Sequence, residues 1–262
     1  MSTITLLLGG WAAMAVVMTA LWLVQLRTRN AGIVDVAWSF GTGLVAVAFA
    51  LGTDGWLPRR LLVAGLAGFW GLRLGFYLRA RMRADVEEDV RYREFRRQHG
   101  GNVQAFLFGF FQLQAVWAVL FAIPMLLAAR NPITAFGPLD ALGILLWIVA
   151  LGGESVADRQ LARFRSDPAN RGAVCRAGLW RYSRHPNYFF EWIHWWAYVA
   201  IGIAGPLGWV TLFGPAVMLV FLLKITGIPL LERRLLESRG DAYREYQRTT
   251  SPFFPWPPRE SA

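Results

Sequence analysis

The sequence has few of the residues that build disulfides, metal centres and common catalytic motifs. Cys175 is the single cysteine of the 262 residues, which excludes an internal disulfide. The three histidines, His99, His185 and His194, have no histidine or cysteine partner at ligand spacing, so no metal site is expected. The chain also lacks the G-x-S-x-G and P-loop patterns, which argues against a hydrolase elbow and a P-loop nucleotide site.

Acidic residues are also scarce, since 17 Asp and Glu stand against 27 Lys and Arg. Such a basic excess is found in nucleic-acid-binding proteins. Here 55% of the residues are hydrophobic, more than a soluble domain of this size contains, so a membrane protein without a nucleic-acid partner is predicted. Long apolar windows, each close to the roughly 20 residues of a spanning helix, cover 4–26, 31–51, 60–78, 104–128, 136–157, 187–204 and 206–230. They predict an all-α polytopic membrane helix bundle of about seven transmembrane helices.

The distribution of basic residues predicts the orientation of this bundle. If the seven segments alternate across the bilayer, one side holds only Arg59, Arg60 and Arg130, while nearly all other arginines lie on the opposite side. The positive-inside rule then places the amino terminus outside and the carboxyl terminus in the cytoplasm. Without an internal repeat or a linker, residues 1–262 are predicted to form a single membrane domain. Frequent alanine, and arginine in place of lysine, resemble a high-GC bacterium and favour a bacterial inner membrane.

Several polar side chains interrupt the apolar segments. A charge at this depth costs a few kcal/mol, so such groups normally face the bundle interior. Asp35 is interpreted either as a functional carboxylate or as the structural partner of an arginine. Gln112 either contacts a ligand or forms an interhelical hydrogen bond. The complete set is Asp35, Arg73, Gln112, Gln114, Glu154, Glu191 and Lys224.

One group of charged residues has helical spacing. Glu154, Asp158 and Arg165 recur at i, i+4 and i+11, close to one face of a helix. A solvated charged stripe is the simpler explanation. The alternative is a phosphate site, because clustered guanidinium groups match phosphate oxygens in geometry and charge. A run of arginines follows at positions 171, 176, 181 and 184. A dinucleotide with several phosphates would fit such a place.

A short glycine motif does not indicate a Rossmann fold. Gly41, Gly43 and Ala46 match G-x-G-x-x-A, but they lie inside a predicted membrane helix with no preceding strand. Small residues in that context favour the close packing of two helices.

The segment RYSRHPNYFFE (181–191) resembles a membrane superfamily that includes steroid 5α-reductases, sterol reductases, and isoprenylcysteine and phospholipid methyltransferases. Together with GIVDVAW, WGLRLGFYL, EDVRYREFR, GLWRYSRHPNYFFEW and DAYREYQRTTSPFFPW, it resembles a bacterial branch whose carboxyl half is 5α-reductase-like. Two departures from the methyltransferases favour the reductases. Phe189, Phe190 and Glu191 follow the tyrosine where the methyltransferases have a small residue, and Leu231 precedes Glu232 where they have paired glutamates. Asn187 and Glu191, four residues apart, instead resemble the cofactor-contacting pair of the reductases.

The resemblance implies that NADPH enters from the cytoplasmic face and binds the part at about 104–258. Asn187 and Glu191 would hydrogen-bond the nicotinamide end. Glu154 and Asp158 would contact the adenosine or ribose portion, and arginines would meet the phosphates. The cofactor-binding residues implied by the resemblance are Arg73, Glu154, Asp158, Arg165, Arg171, Asn187 and Glu191. Arg184, His185, Tyr182 and Tyr188 are added because they stand beside them at the membrane border. His185 either positions the cofactor or acts in catalysis, and the two tyrosines either contact the cofactor or are interfacial.

The implied reaction is hydride transfer to the C=C bond of a lipophilic enone, such as a steroid-like 3-oxo substrate. Negative charge then develops on the carbonyl oxygen, so the protein needs an acid or hydrogen-bond donor there. A protonated Asp35, assisted by Tyr77 or Gln112, is the predicted catalytic group. The tyrosine expected in the reductases aligns with Trp70, which has no phenol. The alternatives are a methyltransferase that uses S-adenosylmethionine on a lipid or prenyl substrate, and a non-enzymatic scaffold.

Overall fold

The computed structural model describes residues 1–84, 87–225 and 227–259, and these residues form helices and no β-strand. The all-α prediction is therefore confirmed for this part of the chain. The α-helices are α1 (Thr3–Thr28), α2 (Ile33–Gly52), α3 (Leu57–Ala84), α4 (Val90–His99), α5 (Val103–Ala129), α6 (Pro138–Ser166), α7 (Pro186–Gly202), α8 (Phe213–Val220), α9 (Ile228–Arg239) and α10 (Asp241–Thr249).

Six helical segments within the described residues are long and apolar enough to cross a membrane. They are Thr3–Thr28, Ile33–Gly52, Leu57–Ala84, Val90–Ala129, Pro138–Ser166 and Gly208–Arg239. The sequence predicted about seven. The difference is α7, which has 17 residues and is the shortest of the predicted spans. The last predicted window, 206–230, contains Thr226, which lies outside the described residues. These segments indicate a multi-pass membrane protein in a lipid bilayer.

The chain groups into two compact units. The amino-terminal unit contains Met1–Phe136 and Gly202–Thr211, and the carboxyl-terminal unit contains Gly137–Ile201 and Leu212–Ala262. The prediction of one domain over 1–262 stays a prediction. The cofactor-binding part predicted at about 104–258 begins before the carboxyl-terminal unit, which starts at Gly137.

In the amino-terminal unit, α2 packs against α3 and α5, and α1 packs against α5. The small residues Gly41, Gly43 and Ala46 on α2 are all buried. A Cβ atom built on Gly43 would lie 2.9 Å from the Cα atom of Gly71 on α3. The two backbones therefore approach closely because neither position carries a side chain. The helix-packing interpretation of the glycine motif is confirmed.

In the carboxyl-terminal unit, α6 and α7 run antiparallel and approach at glycines of α6. A Cβ atom on Gly143 would lie 2.6 Å from the side chain of Ile201, and one on Gly153 would lie 2.4 Å from the ring of Phe190. Further along the chain, α9 and α10 pack against each other. They are separated by Gly240, whose φ of 54° lies in the left-handed region that favours glycine.

Replacing Gly71 with leucine should destabilise the amino-terminal unit. The new Cβ atom would lie 2.8 Å from the Cα atom of Gly43 and 3.0 Å from the carbonyl oxygen of Ser39. Overpacking of this kind costs about 1–3 kcal/mol or more. Thermal unfolding of detergent-purified protein measures the loss. Gly65→Leu on the same helix is the matched control, because a Cβ atom at that position would have no neighbour within 4 Å among the described residues. Equal losses in both variants would contradict the packing role.

Candidate functional site

Four predicted cofactor-binding residues lie in a polar seam between α6 and α7. Glu154 and Asp158 are one turn apart on α6, and both are buried. The side-chain amide of Asn187 on α7 donates a hydrogen bond to Asp158 Oδ1 at 3.3 Å. Because the helices are antiparallel, Glu191 comes level with Glu154. Glu191 accepts a hydrogen bond from the Trp195 indole at 3.3 Å. The carboxylates make this seam rich in acceptors, which suits ligand N–H and O–H groups.

A cavity of about 460 Å³ lies in the same unit. Its volume falls within the range of small-molecule sites, about 300–1,000 Å³. Its wall includes Leu161, three residues after Asp158, and His185, two residues before Asn187. The chain therefore leads from the seam into the cavity at both α6 and α7.

The walls of this cavity combine guanidinium groups with aromatic rings. Four arginines and one aspartate, Asp167, line it, so positive charge dominates. No described residue forms a side-chain hydrogen bond or ion pair with Arg171 or Arg239. These guanidinium groups keep their donors for an anion. The lining arginines are Arg165, Arg171, Arg184 and Arg239, and the aromatic side chains are Phe164, Trp180, Tyr243 and Tyr246.

Glu232 on α9 is the centre of a hydrogen-bond network beside the cavity. Arg184 donates to both of its carboxylate oxygens, at 2.6 and 3.2 Å. His185 Nε2 lies 3.2 Å from Glu232 Oε1. Two side chains of α10 complete the network: the Tyr243 hydroxyl donates at 3.3 Å and the Gln247 amide at 2.9 Å. One carboxylate thus joins α9, α10 and the segment before α7.

Arg184 also connects the end of α10 and the segment that follows it to this network. Arg184 Nη1 donates hydrogen bonds to the carbonyl oxygens of Gln247 at 3.0 Å and Thr250 at 2.7 Å. The backbone N–H of Trp256 donates to the carbonyl oxygen of Tyr182 at 2.9 Å. The Tyr182 side chain is exposed, so this residue takes part in the contact only through its backbone carbonyl. The segment after α10 is held against the residues that precede α7.

Burial controls the protonation of the cavity residues. It lowers the pKa of His185, against the hydrogen bond and charge of Glu232, which raise it. A neutral His185 donates its Nε2 proton to Glu232, so Nδ1 is an acceptor, and no described residue bonds to it. Burial also raises the pKa of Cys175, Tyr243 and Tyr246, so these groups stay protonated at neutral pH.

Tyr188 lies beside the cavity histidine. Its ring stacks on His185 with centroids 5.6 Å apart and an interplanar angle of 12°. The stacking fixes the imidazole plane and leaves the Tyr188 side chain half-buried. The structure therefore brings Arg165, Arg171, Arg184 and His185 together at the cavity, with Tyr188 next to them.

Asp35, the predicted catalytic acid, forms an ion pair. Arg91 on α4 donates to Asp35 Oδ2 at 2.7 Å, and the Tyr92 hydroxyl donates to Oδ1 at 2.9 Å. Asp89 also contacts Arg91 and caps the start of α4. Burial would raise the pKa of Asp89, but the charge and hydrogen bonds of Arg91 lower it overall. The structure therefore shows the arginine pairing that was one of the two interpretations of Asp35.

The other predicted residues of the amino-terminal unit lie on different helices. Gln112 on α5 donates a hydrogen bond to the Thr19 hydroxyl on α1 at 3.0 Å. The interhelical hydrogen bond considered for Gln112 is therefore present. Tyr77 and Arg73 lie one turn apart on α3, and both are half-buried. These residues belong to a unit separate from the cavity.

Local sequence patterns did not indicate the residues that shape the cavity from the carboxyl-terminal side. Glu232 was noted only as a departure from a glutamate pair, and Tyr243 only as an aromatic residue of an amphipathic helix. No motif pointed to Arg239 or Gln247. A signal was present in α10, where Tyr243 and Gln247 stand at i and i+4 and therefore share a face. Their common partner, Glu232, lies on another helix, which no local pattern reveals.

These features define a multi-pass helical membrane protein with a basic cavity in its carboxyl-terminal unit. The chain belongs to the family described as Protein of unknown function (DUF1295), whose sequence model matches residues 21–250. It is also 27% identical, over an alignment of 265 residues, to Uncharacterized protein C594.04c of Schizosaccharomyces pombe. That alignment covers 90% of this chain and 75% of the relative. No solved structure matches the chain significantly.

Replacing Glu232 with alanine should cost about 3–5 kcal/mol of unfolding free energy, because it leaves the buried Arg184 charge without its carboxylate. The Arg184 side chain is only 9% exposed. Glu245→Ala is the matched control, since its partner Arg248 is 74% exposed and such pairs contribute about 0–1 kcal/mol. Chemical denaturation in detergent compares the two. A Glu232 variant as stable as the Glu245 variant would rule out the structural role of the network.

Acidification should destabilise the fold through His185. Its pKa is lowered from the ordinary 6.5 in the folded state, so below about pH 6.5 the unfolded chain binds more protons. The unfolding free energy then falls as pH decreases, by at most about 1.4 kcal/mol per pH unit for one proton. Melting temperatures between pH 5.0 and 7.5 should depend less on pH in His185→Gln than in the wild type. His99→Gln, which removes a histidine of the other unit, should retain the wild-type dependence.

Proposed function

We propose that this protein is an NADPH-dependent membrane oxidoreductase that reduces the C=C bond of a lipophilic enone, such as a steroid-like 3-oxo compound. The observation that carries this proposal is the basic, aromatic-lined cavity that adjoins a seam of buried carboxylates and an amide. The resemblance of residues 178–192 to the 5α-reductases supports the same reaction class.

The residues present fit such a cofactor. Arg165, Arg171 and Arg239 offer guanidinium groups to phosphates, and the aromatic walls offer surfaces for planar rings. The free acceptor on His185 Nδ1 requires a ligand donor, which a ribose hydroxyl or an adenine amine provides. The seam residues Asn187 and Glu191 offer partners to a carboxamide. When bound, NADPH would supply the hydride.

Charge favours this cofactor over S-adenosylmethionine. The cavity has four arginines and one aspartate, and the charge of Arg184 is already balanced by Glu232. S-adenosylmethionine carries a sulfonium and an ammonium group against one carboxylate, so the remaining arginines would repel most of its charge. A ligand with several phosphates removes that repulsion. The extra 2′-phosphate also favours NADPH over NADH.

The proposed topology places the cavity residues on the cytoplasmic side, from which NADPH would enter. With α7 as a seventh crossing helix, the amino terminus lies outside and the carboxyl terminus lies in the cytoplasm of a bacterium, at its inner membrane. The arginine-rich segment from Arg159 to Arg184 is then cytoplasmic. The apolar helices provide a dry environment for hydride transfer and for a lipophilic substrate.

NADPH should raise the melting temperature of detergent-purified protein, because a ligand that binds only the folded state stabilises it by mass action. Arg171→Ala should weaken NADPH binding about tenfold, since one charge-assisted phosphate contact is lost. Arg181→Ala is the control, because Arg181 is exposed and does not line the cavity. NADPH oxidation with a set of lipophilic enones then tests turnover.

The same melting experiment separates the competing functions. Stabilisation by S-adenosylmethionine but not NADPH would replace the proposed activity with methyl transfer. Stabilisation by neither ligand would favour a scaffold without a cofactor. An equal loss of NADPH affinity in the Arg171 and Arg181 variants would contradict the assignment of the cavity.

A further inference from the structure

The seam continues along α7 as a stripe of polar side chains. Asn187, Glu191, His194 and Tyr198 recur at i, i+4, i+7 and i+11, which places them on one face of the helix. Glu191, His194 and Tyr198 are 8%, 0% and 0% exposed. The rings of His194 and Tyr198 lie 5.1 Å apart. The stripe therefore leads from the proposed nicotinamide end of the seam into the apolar part of α7.

Tyr198 ends this stripe with a hydroxyl group that has no hydrogen-bond partner in the part of the chain that the structure describes. Buried tyrosine hydroxyls usually find a partner, because an unpaired buried donor is costly. Two aromatic rings lie near the Tyr198 ring. The ring centroid of His194 is 5.1 Å away, and that of Trp195 is 6.4 Å away. A ligand with an acceptor oxygen would satisfy the hydroxyl.

We propose that the Tyr198 hydroxyl binds the carbonyl oxygen of the lipophilic substrate. This inference rests on the proposed reductase function and identifies the donor for that oxygen. Tyr198 follows Glu191 by seven residues, which is about 10 Å along a helix axis.

The hydroxyl acts on the charge that develops during reduction. Bound NADPH would supply a hydride that forms a C–H bond at the β-carbon, and the π electrons of the C=C bond would move to give an enolate. The Tyr198 O–H group donates a hydrogen bond to the enolate oxygen and keeps its proton. A proton from water then binds the α-carbon, so that enone, NADPH and one proton give the saturated ketone and NADP⁺.

Two residues of the amino-terminal unit are weaker candidates for this donor. Trp70, at the position where the reductases have a tyrosine, has no phenol. Asp35 is held as an ion pair by Arg91 and bonded by Tyr92. The Tyr198 phenol on α7 would supply a donor within the carboxyl-terminal unit.

The test is the binding of a saturated 3-oxo steroid and of the matching steroid hydrocarbon without the ketone, both measured in detergent without cofactor by tryptophan fluorescence. Wild-type protein should bind the ketone more tightly. Tyr198→Phe should weaken ketone binding roughly three- to tenfold, the value of one hydrogen bond, and leave hydrocarbon binding unchanged. Thr42→Val is the control, because it removes another fully buried hydroxyl without a partner among the described residues.

Thr42→Val should bind both steroids as the wild type does, and melting temperatures should show that both variants fold. Unchanged ketone binding in Tyr198→Phe would overturn the inference, as would a wild type that does not prefer the ketone. NADPH stabilisation is measured on the same samples. Stabilisation with unchanged ketone binding would overturn only the role of Tyr198, whereas loss of ketone binding without any NADPH stabilisation would overturn only the cofactor assignment.

Discussion

The carboxyl-terminal unit depends on the ion pair between Arg184 and Glu232. The two side chains are only 9% and 14% exposed, so their desolvation must be offset by hydrogen bonds. His185, Tyr243 and Gln247 donate to the same carboxylate, and Arg184 also reaches backbone carbonyls after α10. Residues that are far apart in sequence thereby form one wall of the cavity. The pair determines the position of the cavity rather than its chemistry.

The polar groups of this unit are arranged by charge. Guanidinium groups line the cavity, whereas carboxylates and an amide occupy the seam between α6 and α7. A ligand that satisfies both regions needs an anionic part and a part rich in hydrogen-bond donors. A phosphorylated nucleotide has both. His185 lies between the two regions, with one ring nitrogen bound to Glu232 and the other available as an acceptor.

Local patterns predicted the elements of the site better than its assembly. The apolar windows gave the helical class, and the glycine motif gave the contact of Gly43 with α3, because both depend on neighbours in sequence. Asp35 was recognised as an unusual intramembrane carboxylate, but its partner Arg91 lies 56 residues later on α4. Glu232 depends on donors from two separate segments, the residues before α7 and the helix α10. Such contacts arise from tertiary packing, which residue spacing does not encode.

The cost of polar groups in a membrane explains why the α7 stripe is informative. Glu191, His194 and Tyr198 occupy an apolar helix, where polar side chains are unfavourable unless they face the protein interior. All three are buried, and the amide of Asn187 on the same face bonds to Asp158 on α6. The stripe therefore faces protein rather than lipid. Bonds within the protein account for part of this polarity, since the Trp195 indole donates to Glu191. The Tyr198 hydroxyl has no such partner among the described residues, and the proposed substrate carbonyl would satisfy it.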